Sequence, residues 1–217
     1  MAIFAAIFDL DGVLTSTSAR HEESWADAAR RFGVPVSEAA LRATRSIPRA
    51  SALSALLKHA GMELDAATRE AVMRFKNERY HELIEGFQPD DAFPGARQTL
   101  ERCSALGMKV GVASASLHAQ LVLQRIGLVD LVDFIADPSQ AAAKPSAEIF
   151  RVACAALEAL PRSTVCVEDG APMIANLRAE GFLTVGIGVG DLGADEQFGA
   201  VGAWDVRETL ARLVARA

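Results

Sequence analysis

The sequence has no surplus of positive charge and few cysteines. The first argues against a nucleic-acid-binding protein, and the second against a protein held together by disulfides. Lys and Arg together number 22 against 28 Asp and Glu, which gives a formal net charge of −6 at pH 7. Sequence-independent binding of nucleic acids relies on Lys and Arg to neutralise phosphates, so this balance argues against it. The three cysteines, Cys103, Cys154 and Cys166, have no metal-ligand spacing, and their helical and strand patterns favour buried thiols over a disulfide. Such thiols suit a reducing cytoplasm, which is the location we expect.

The N-terminus lacks both the cationic region of a secretory signal and the long apolar run of a membrane segment. Asp9 interrupts the first apolar run after a few residues, so we expect neither a signal peptide nor a membrane span there. Internal repeats and low-complexity segments are also missing. A chain of 217 residues can bury one substantial core, or a core domain with a smaller second domain.

Two aspartates separated by one residue follow the apolar run Ile3 to Phe8. The run has no helical period and indicates a buried strand. Residues two apart in a strand point the same way, so Asp9 and Asp11 would project together from its carboxyl edge, before a turn that Gly12 permits. Ligands of open parallel sheets bind at that edge. Because two such carboxylates repel, a hard divalent cation is indicated, and Mg²⁺ fits best.

The rest of the chain predicts an α/β fold with a parallel sheet and an inserted helical domain. Helix-like segments alternate with short apolar runs, as in parallel α/β sheets. The stretch 16–87 has apolar residues at helical spacing and no convincing strand. We therefore predict a Rossmann-like core formed by 1–15 and 88–217, with 16–87 as a helical cap domain. The helix-like segments end at Gly33, Gly61, Gly107, Gly127 and Gly181, and the apolar runs are Lys109 to Ala113, Leu131 to Ala136, Thr164 to Val167 and Leu183 to Ile187.

Three further motifs carry side chains suited to phosphate chemistry. One apolar run ends at Ser114, whose hydroxyl would meet a phosphate near a helix N-terminus, although Ser116 could be only a helix N-cap. Lys144 precedes Pro145 in a loop, where it could steady a phosphate or be an ordinary solvated charge. Glu168 and Asp169 end another buried run, which repeats the arrangement at the first strand.

These four motifs resemble, in order and spacing, those of the phosphate-transferring branch of the haloacid dehalogenase superfamily. The resemblance implies that Asp9 is the nucleophile and Asp11 the general acid/base. Dehalogenating members need only the first carboxylate, so Asp11 favours phosphoryl chemistry. It further implies that Ser114 and Lys144 contact the transferring phosphate. One Mg²⁺ per chain would be held by Asp9, the main-chain carbonyl of Asp11, Glu168 and Asp169.

The chain is also similar to the β-phosphoglucomutase subgroup along almost its whole length. That likeness implies an enzyme that interconverts β-glucose 1-phosphate and glucose 6-phosphate, primed by a sugar bisphosphate. We expect a monomer that binds a phosphorylated sugar and neither nucleic acid nor membrane. In the subgroup Thr17 lies at the hinge into the cap, His21 and Lys76 couple cap closure to the acid/base, and Arg49 holds the phosphate that is not transferred. The implied substrate-binding residues are Thr17, His21, Trp25, Ser46, Ile47, Arg49, Lys76, Ala115, Ser116 and His118.

Several residues depart from the subgroup's pattern and leave alternatives open. Ser46 stands where a glycine is usual, Ala52 where a serine is, and Leu117-His118 replaces a Lys-Asn pair that helps bind the distal phosphate. A sugar-phosphate phosphatase would use the same residues with water as acceptor. A non-catalytic metabolite-binding protein is a third possibility, although it would not need the nucleophile. Some of the cap residues also have purely structural or solvated alternatives, namely His21, Trp25, Arg49 and Lys76.

Overall fold

The computed structural model describes residues 3–44, 47 and 49–216, and the chain divides into two compact units. Thr17–Phe87 forms one, here called the helical unit, and the residues before and after it form the other, called the sheet unit. Within the described ranges, each helix is too short or too polar to cross a bilayer. Cys103, Cys154 and Cys166 are free and buried, as the sequence predicts.

The helical unit is built from amphipathic helices around one buried cluster. Asp65 begins the longest helix by accepting a hydrogen bond from Thr68 N, at 2.9 Å, and thereby satisfies one of the free amides of the first turn. Trp25, Leu53 and Val72 belong to the buried cluster and come from the three longer helices, whereas the short second helix has no buried residue. The helices are α1 (Ser18–Arg31), α2 (Glu38–Arg42), α3 (Arg49–Ala60) and α4 (Ala66–Glu85).

The sheet unit contains a parallel six-stranded sheet in the order β3-β2-β1-β4-β5-β6. β1 lies in the middle and all four of its residues are buried, as expected for an apolar strand covered on both faces. This topology confirms the predicted Rossmann-like α/β fold. The strands are β1 (Ala5–Phe8), β2 (Lys109–Val112), β3 (Phe134–Ile135), β4 (Thr164–Glu168), β5 (Leu183–Ile187) and β6 (Glu196–Phe198).

Helices pack on the sheet and bury the strands that lead to its carboxyl edge. A buried cluster joins β1 and β4 to two of these helices through Ile7, Phe150, Cys166 and Leu177. The sheet-unit helices are α5 (Ala96–Ala105), α6 (Ala119–Arg125), α7 (Glu148–Ala156), α8 (Ala171–Ala179) and α9 (Val206–Arg216).

Two edge strands differ from the sequence-based expectation. The apolar run from Leu131 to Ala136 yields only Phe134–Ile135 as strand, because Val129–Leu131 turns as a 3₁₀ helix. β6 was not predicted, and its residues are only half-buried. Both strands lie at the outer edges of the sheet, and neither pairs with β1.

Candidate active site

Three carboxylates meet at the carboxyl edge of two adjacent strands. Asp9 directly follows β1, and Glu168 ends β4, which pairs in parallel with β1 so that Phe8 lies opposite Val167. Asp9 and Glu168 are 6% and 3% exposed. One carboxylate oxygen from each of Asp9, Glu168 and Asp169 lies within 4.8 Å of the others. The sequence pattern of two strands that deliver acids to one edge therefore produces a single acidic cluster.

Lys144 bridges two of these carboxylates. Its Nζ donates to Asp9 Oδ1 at 2.6 Å and to Glu168 Oε1 at 2.8 Å. It also lies 5.0 Å from the ring centroid of Phe150. Burial lowers the pKa of Lys144, but the carboxylates of Asp9 and Glu168 raise it by more, so the ammonium stays charged. The alternative that Lys144 is a solvated surface charge is wrong.

N–H donors fill most of the acceptor positions on the carboxylate of Glu168. Its Oε1 accepts from Lys144, and its Oε2 accepts from the main-chain amides of Asp169 and Gly170, both at 2.8 Å. A carboxylate offers about four acceptor positions, so one remains. The bonds to the amides fix the turn after β4 and leave Asp9 and Asp169 as the carboxylates with more free oxygen positions.

The crowding of acids raises two pKa values and indicates a cation site. Burial raises the pKa of Asp9 to about 7, the charge of Glu168 adds to this, and Lys144 opposes it. Burial and the neighbouring Glu168 raise the pKa of Asp169 to about 6. The raised pKa values of Asp9 and Asp169 mean that it is costly to hold both carboxylates in the ionised form. A divalent cation between them offsets that cost, because its positive charge attracts both. The all-oxygen donor set fits Mg²⁺. That the main-chain carbonyl of Asp11 is a further ligand of the Mg²⁺ stays a prediction.

The turn after β1 is closed by main-chain hydrogen bonds. Leu14 N donates to Leu10 O at 2.9 Å, and Gly12 N donates to Thr15 O at 2.8 Å. These bonds wind the segment back on itself and bring Gly12 against the side chain of Asp169. The turn therefore joins the first acidic motif to the last.

The hydroxyl residues after β2 lie at the same edge of the sheet. Ser114 is buried, and its Oγ accepts from Ser116 N at 3.1 Å. Ser116 Oγ accepts from His118 N at 3.2 Å, and α6 begins only at Ala119, with His118 at its N-cap. Ser116 therefore caps the turn that leads into α6, one turn before the first helical residue. Ala115, the remaining predicted residue of this loop, is exposed.

Within the helical unit, the structure brings His21 and Lys76 together. Lys76 Nζ lies 2.8 Å from His21 Nδ1 and 4.7 Å from the ring centroid of Tyr80, which stacks on His21 at 4.0 Å. Lys76 is only 4% exposed, so the solvated alternative is wrong for this residue.

Trp25 is buried in the cluster of this unit, with Lys76 Nζ 5.6 Å from its ring. Burial, with a smaller contribution from the charge of Arg49, lowers the pKa of Lys76 to about 7.

Other predicted residues of the helical unit lie nearer its surface. Arg49 is the first residue of α3, is exposed, and lines a cavity of about 550 Å³ together with Arg74 and Asn77 of α4. Ile47 is 40% exposed. Thr17 is buried just before α1. Ser46 lies outside the described residues.

Two residues beside Lys144 escaped prediction from the sequence. Phe150 reads as ordinary apolar packing on α7, and Asn176 as a polar residue on α8. Asn176 Nδ2 donates to Pro145 O at 2.8 Å, so it touches the loop that carries the lysine. Nothing in the local pattern pairs position 176 with position 145, because the contact joins separate elements.

Comparisons with known proteins identify the chain's family and its similar structures. A family model described as a haloacid dehalogenase-like hydrolase matches residues 3–181. The β-phosphoglucomutase of Bacillus subtilis strain 168 is 33% identical over 196 residues, which are 88% of this chain and 87% of that protein. The validoxylamine A 7'-phosphate phosphatase of Streptomyces hygroscopicus subsp. limoneus is 25% identical over 186 residues, 84% of each chain. A crystal structure of β-phosphoglucomutase from Clostridium difficile matches with a TM-score of 0.86 at 26% identity, covering 100% of this chain and 99% of that one.

Proposed function

The chain belongs to the haloacid dehalogenase-like hydrolase family of enzymes, and from that premise we propose that it is a Mg²⁺-dependent phosphotransferase acting on phosphorylated sugars. The observation that carries the proposal is the Lys144 ammonium held between Asp9 and Glu168. A buried carboxylate that is paired with a lysine and adjoins a cation site is equipped to attack phosphorus. A protein that only binds a metabolite would not need this arrangement.

The proposed reaction has two transfers through Asp9. The carboxylate attacks phosphorus, the bond to the sugar oxygen breaks, and Asp11 gives that oxygen a proton. In the second transfer Asp11 takes the proton of the incoming sugar hydroxyl, which attacks the aspartyl-phosphate and releases Asp9. Lys144 and the Ser114 hydroxyl stabilise charge on the transferred group.

Asp9, Glu168 and Asp169, with the main-chain carbonyl of Asp11, would hold the Mg²⁺, which would supply positive charge beside the phosphate oxygens. Burial raises the pKa of Asp9 to about 7 although Lys144 opposes it, so the Mg²⁺ charge would also be needed to favour the ionised carboxylate. The protein's own contribution is therefore a lysine charge that favours the nucleophilic form of Asp9.

Within this reaction class, we propose a β-phosphoglucomutase that converts β-glucose 1-phosphate into glucose 6-phosphate. Support comes from the similarity to the β-phosphoglucomutase of Bacillus subtilis over 88% of the chain. A mutase must bind a phosphate that is not transferred, and the guanidinium of Arg49 suits that task. His21 and Lys76 would contribute to substrate binding from the same unit.

A sugar-phosphate phosphatase is the second candidate, and one observation favours it. Leu117 is an apolar side chain that is 67% exposed, in the loop where the mutase subgroup carries a lysine. The loop after β2 therefore offers less positive charge to a second phosphate than the subgroup's lysine would. With water as acceptor, the aspartyl-phosphate would be hydrolysed by the same residues.

One incubation separates the two activities. The protein is mixed with Mg²⁺, β-glucose 1-phosphate and a trace of the 1,6-bisphosphate, and phosphorus is followed by NMR. The mutase should form glucose 6-phosphate with little inorganic phosphate, after a lag when the bisphosphate is omitted. Immediate release of inorganic phosphate without that dependence would assign the phosphatase instead. If neither product forms, glucose phosphate is not the substrate, and other hexose and pentose phosphates are tested in the same assay.

A further inference from the structure

The loop that carries Lys144 has little internal support. Among the described residues, one main-chain hydrogen bond joins positions within the stretch 141–147, from Ser146 N to Ala143 O at 3.1 Å. A loop of this kind does not fix the direction of a long lysine side chain by itself, because lysine has four rotatable bonds and a large rotamer entropy. Contacts from neighbouring elements must therefore hold it.

Two side chains from the flanking helices hold the loop, one on each side of Lys144. Glu148 of α7 accepts from Ala142 N at 2.7 Å. Asn176 of α8 donates from Nδ2 to Pro145 O at 2.8 Å, across 31 positions of sequence. α8 begins just after Glu168 and Asp169, so Asn176 ties the lysine loop to the helix that follows the acidic motif.

We propose that Asn176 is a positioning residue that sets the Lys144 ammonium between Asp9 and Glu168. This inference rests on the proposed role of Lys144 in phosphoryl transfer. The two bonds of Lys144, at 2.6 and 2.8 Å, are charge-assisted and depend steeply on distance. Without the amide of Asn176, the carbonyl of Pro145 loses its hydrogen bond. Because Pro145 directly follows Lys144 in the chain, the main chain at Lys144 can then move.

The position of Asn176 on its helix supports a role other than helix stability. Asn is a poor helix former compared with Ala, and Asn176 lies in the body of α8 on its exposed side. If the residue served only the helix, Asn176→Ala would stabilise the protein or leave it unchanged and would not affect Lys144.

The first test measures how accessible Lys144 is, without using enzyme activity. The chain has four lysines, Lys58, Lys76, Lys109 and Lys144, and Lys109 has a side chain that is 54% exposed. Reductive methylation with limiting formaldehyde, read by peptide mass spectrometry, should modify Lys144 far more slowly than Lys109 in the wild-type protein. Asn176→Ala and Asn176→Asp should each raise the rate at Lys144 severalfold and leave the rate at Lys109 unchanged. Asn176→Gln, which keeps an amide donor, should restore most of the protection.

The second test measures phosphorylation of Asp9 by acetyl phosphate with Mg²⁺ present, which releases acetate and needs no sugar. Asn176→Ala should lower the rate constant about tenfold and change the KM for acetyl phosphate less, because Lys144 acts mainly on the charge that develops during transfer. Gln124→Ala is the matched control, since Gln124 is an exposed amide on α6. A thermal melt verifies folding, and Asn176→Asp is used if the alanine variant does not fold.

The outcomes separate this inference from the proposed function. If the wild-type protein protects Lys144 and accepts phosphate but neither variant changes labelling or rate, Asn176 has no positioning role. Failure of Asn176→Gln to restore the protection would also overturn the inference. If Lys144 of the wild-type protein is labelled as fast as Lys109, or Asp9 accepts no phosphate, then the proposed function itself is wrong.

Discussion

The carboxylate of Asp169 packs directly against the α-carbon of Gly12. A methyl group built on Gly12 would lie 1.9 Å from Asp169 Oδ2, far inside any contact distance. Gly12 also has a φ of +86°, a region that side chains rarely adopt. The space left by the missing side chain is therefore what allows Asp169 to reach the acidic cluster.

We expect Gly12→Ala to weaken Mg²⁺ binding strongly, because Asp169 must move away from Asp9. In addition, the positive φ should lower the free energy of unfolding by about 1–2 kcal/mol. Gly107→Ala is the matched control, since Gly107 has a φ of +79° but open space around the added carbon. Calorimetric titration with Mg²⁺ measures the affinity of both variants. Equal affinities in the two variants would contradict a role for this contact in the cation site.

Asp9→Asn should abolish phosphotransfer while the fold is retained. The amide has the shape of the carboxylate but not its nucleophilic oxygen, so the covalent step is lost. The rate should fall by about three orders of magnitude or more, equivalent to about 4 kcal/mol of barrier. Intact mass after exposure to acetyl phosphate shows whether a phosphoryl group is attached. Asp130→Asn, at an exposed position, should behave as wild type. A phosphorylated Asp9→Asn variant would remove Asp9 as nucleophile.

Lys76→Met should change how stability depends on pH. The pKa of Lys76 falls from 10.5 to about 7 on folding, mainly through burial, and His21, Tyr80 and Arg49 are the titratable or charged groups that face it. Between these two values the unfolded chain binds a proton that the folded chain lacks, so stability rises with pH across that window and is flat below it. The rise across the whole window should amount to about 5 kcal/mol in the wild-type protein and be absent in the variant.

Urea unfolding measures this effect in the helical unit alone if only Trp25 fluoresces. A Trp204→Phe background achieves this, because Trp25 lies in the helical unit and Trp204 in the sheet unit. Lys58→Met, at an exposed position on α3, serves as control and should keep the wild-type slope. The same slope in Lys76→Met would show that Lys76 is not the group that titrates.

Arg49→Ala should harm mutase turnover far more than hydrolysis of a small phosphate ester. Only the mutase cycle must hold the phosphate on the sugar while a different phosphoryl group is transferred at Asp9, and each charge-assisted pair of this kind contributes about 1.5–3 kcal/mol. Arg42→Ala is the control, since Arg42 is exposed and pairs with Glu38 of the same helix. Rates are compared for β-glucose 1-phosphate and p-nitrophenyl phosphate. Equal losses on both substrates would mean that Arg49 has a structural role.

The sequence predicts the centre of the sheet better than its edges. β1 and β4 are buried on both faces, so their apolar runs leave an unmistakable pattern. β6 contains Glu196, Gln197 and Phe198, which are half-buried, so its composition resembles that of a loop. β3 shortens to two residues because a 3₁₀ turn takes part of its apolar run.

The same contrast applies to the candidate site. The meeting of Asp9 with Glu168 follows from the pairing of two parallel strands, which the motif positions already indicate. The bridging geometry of Lys144 and the contact of Asn176 with Pro145 do not follow from any local pattern. They depend on how a loop and a helix from different parts of the chain pack together, which periodicity does not report.

The central place of β1 has a consequence for how the protein is made. β1 emerges from the ribosome first, but its partners β2 and β4 lie at 109–112 and 164–168. At about 5–20 residues per second, β1 waits roughly 10–30 s for β4. The helical unit, a continuous stretch from Thr17 to Phe87, can fold during that interval. Ile7 and Phe8 meanwhile stay exposed to solvent and to other chains, so nascent chains that stall before β4 should be the species most dependent on chaperones.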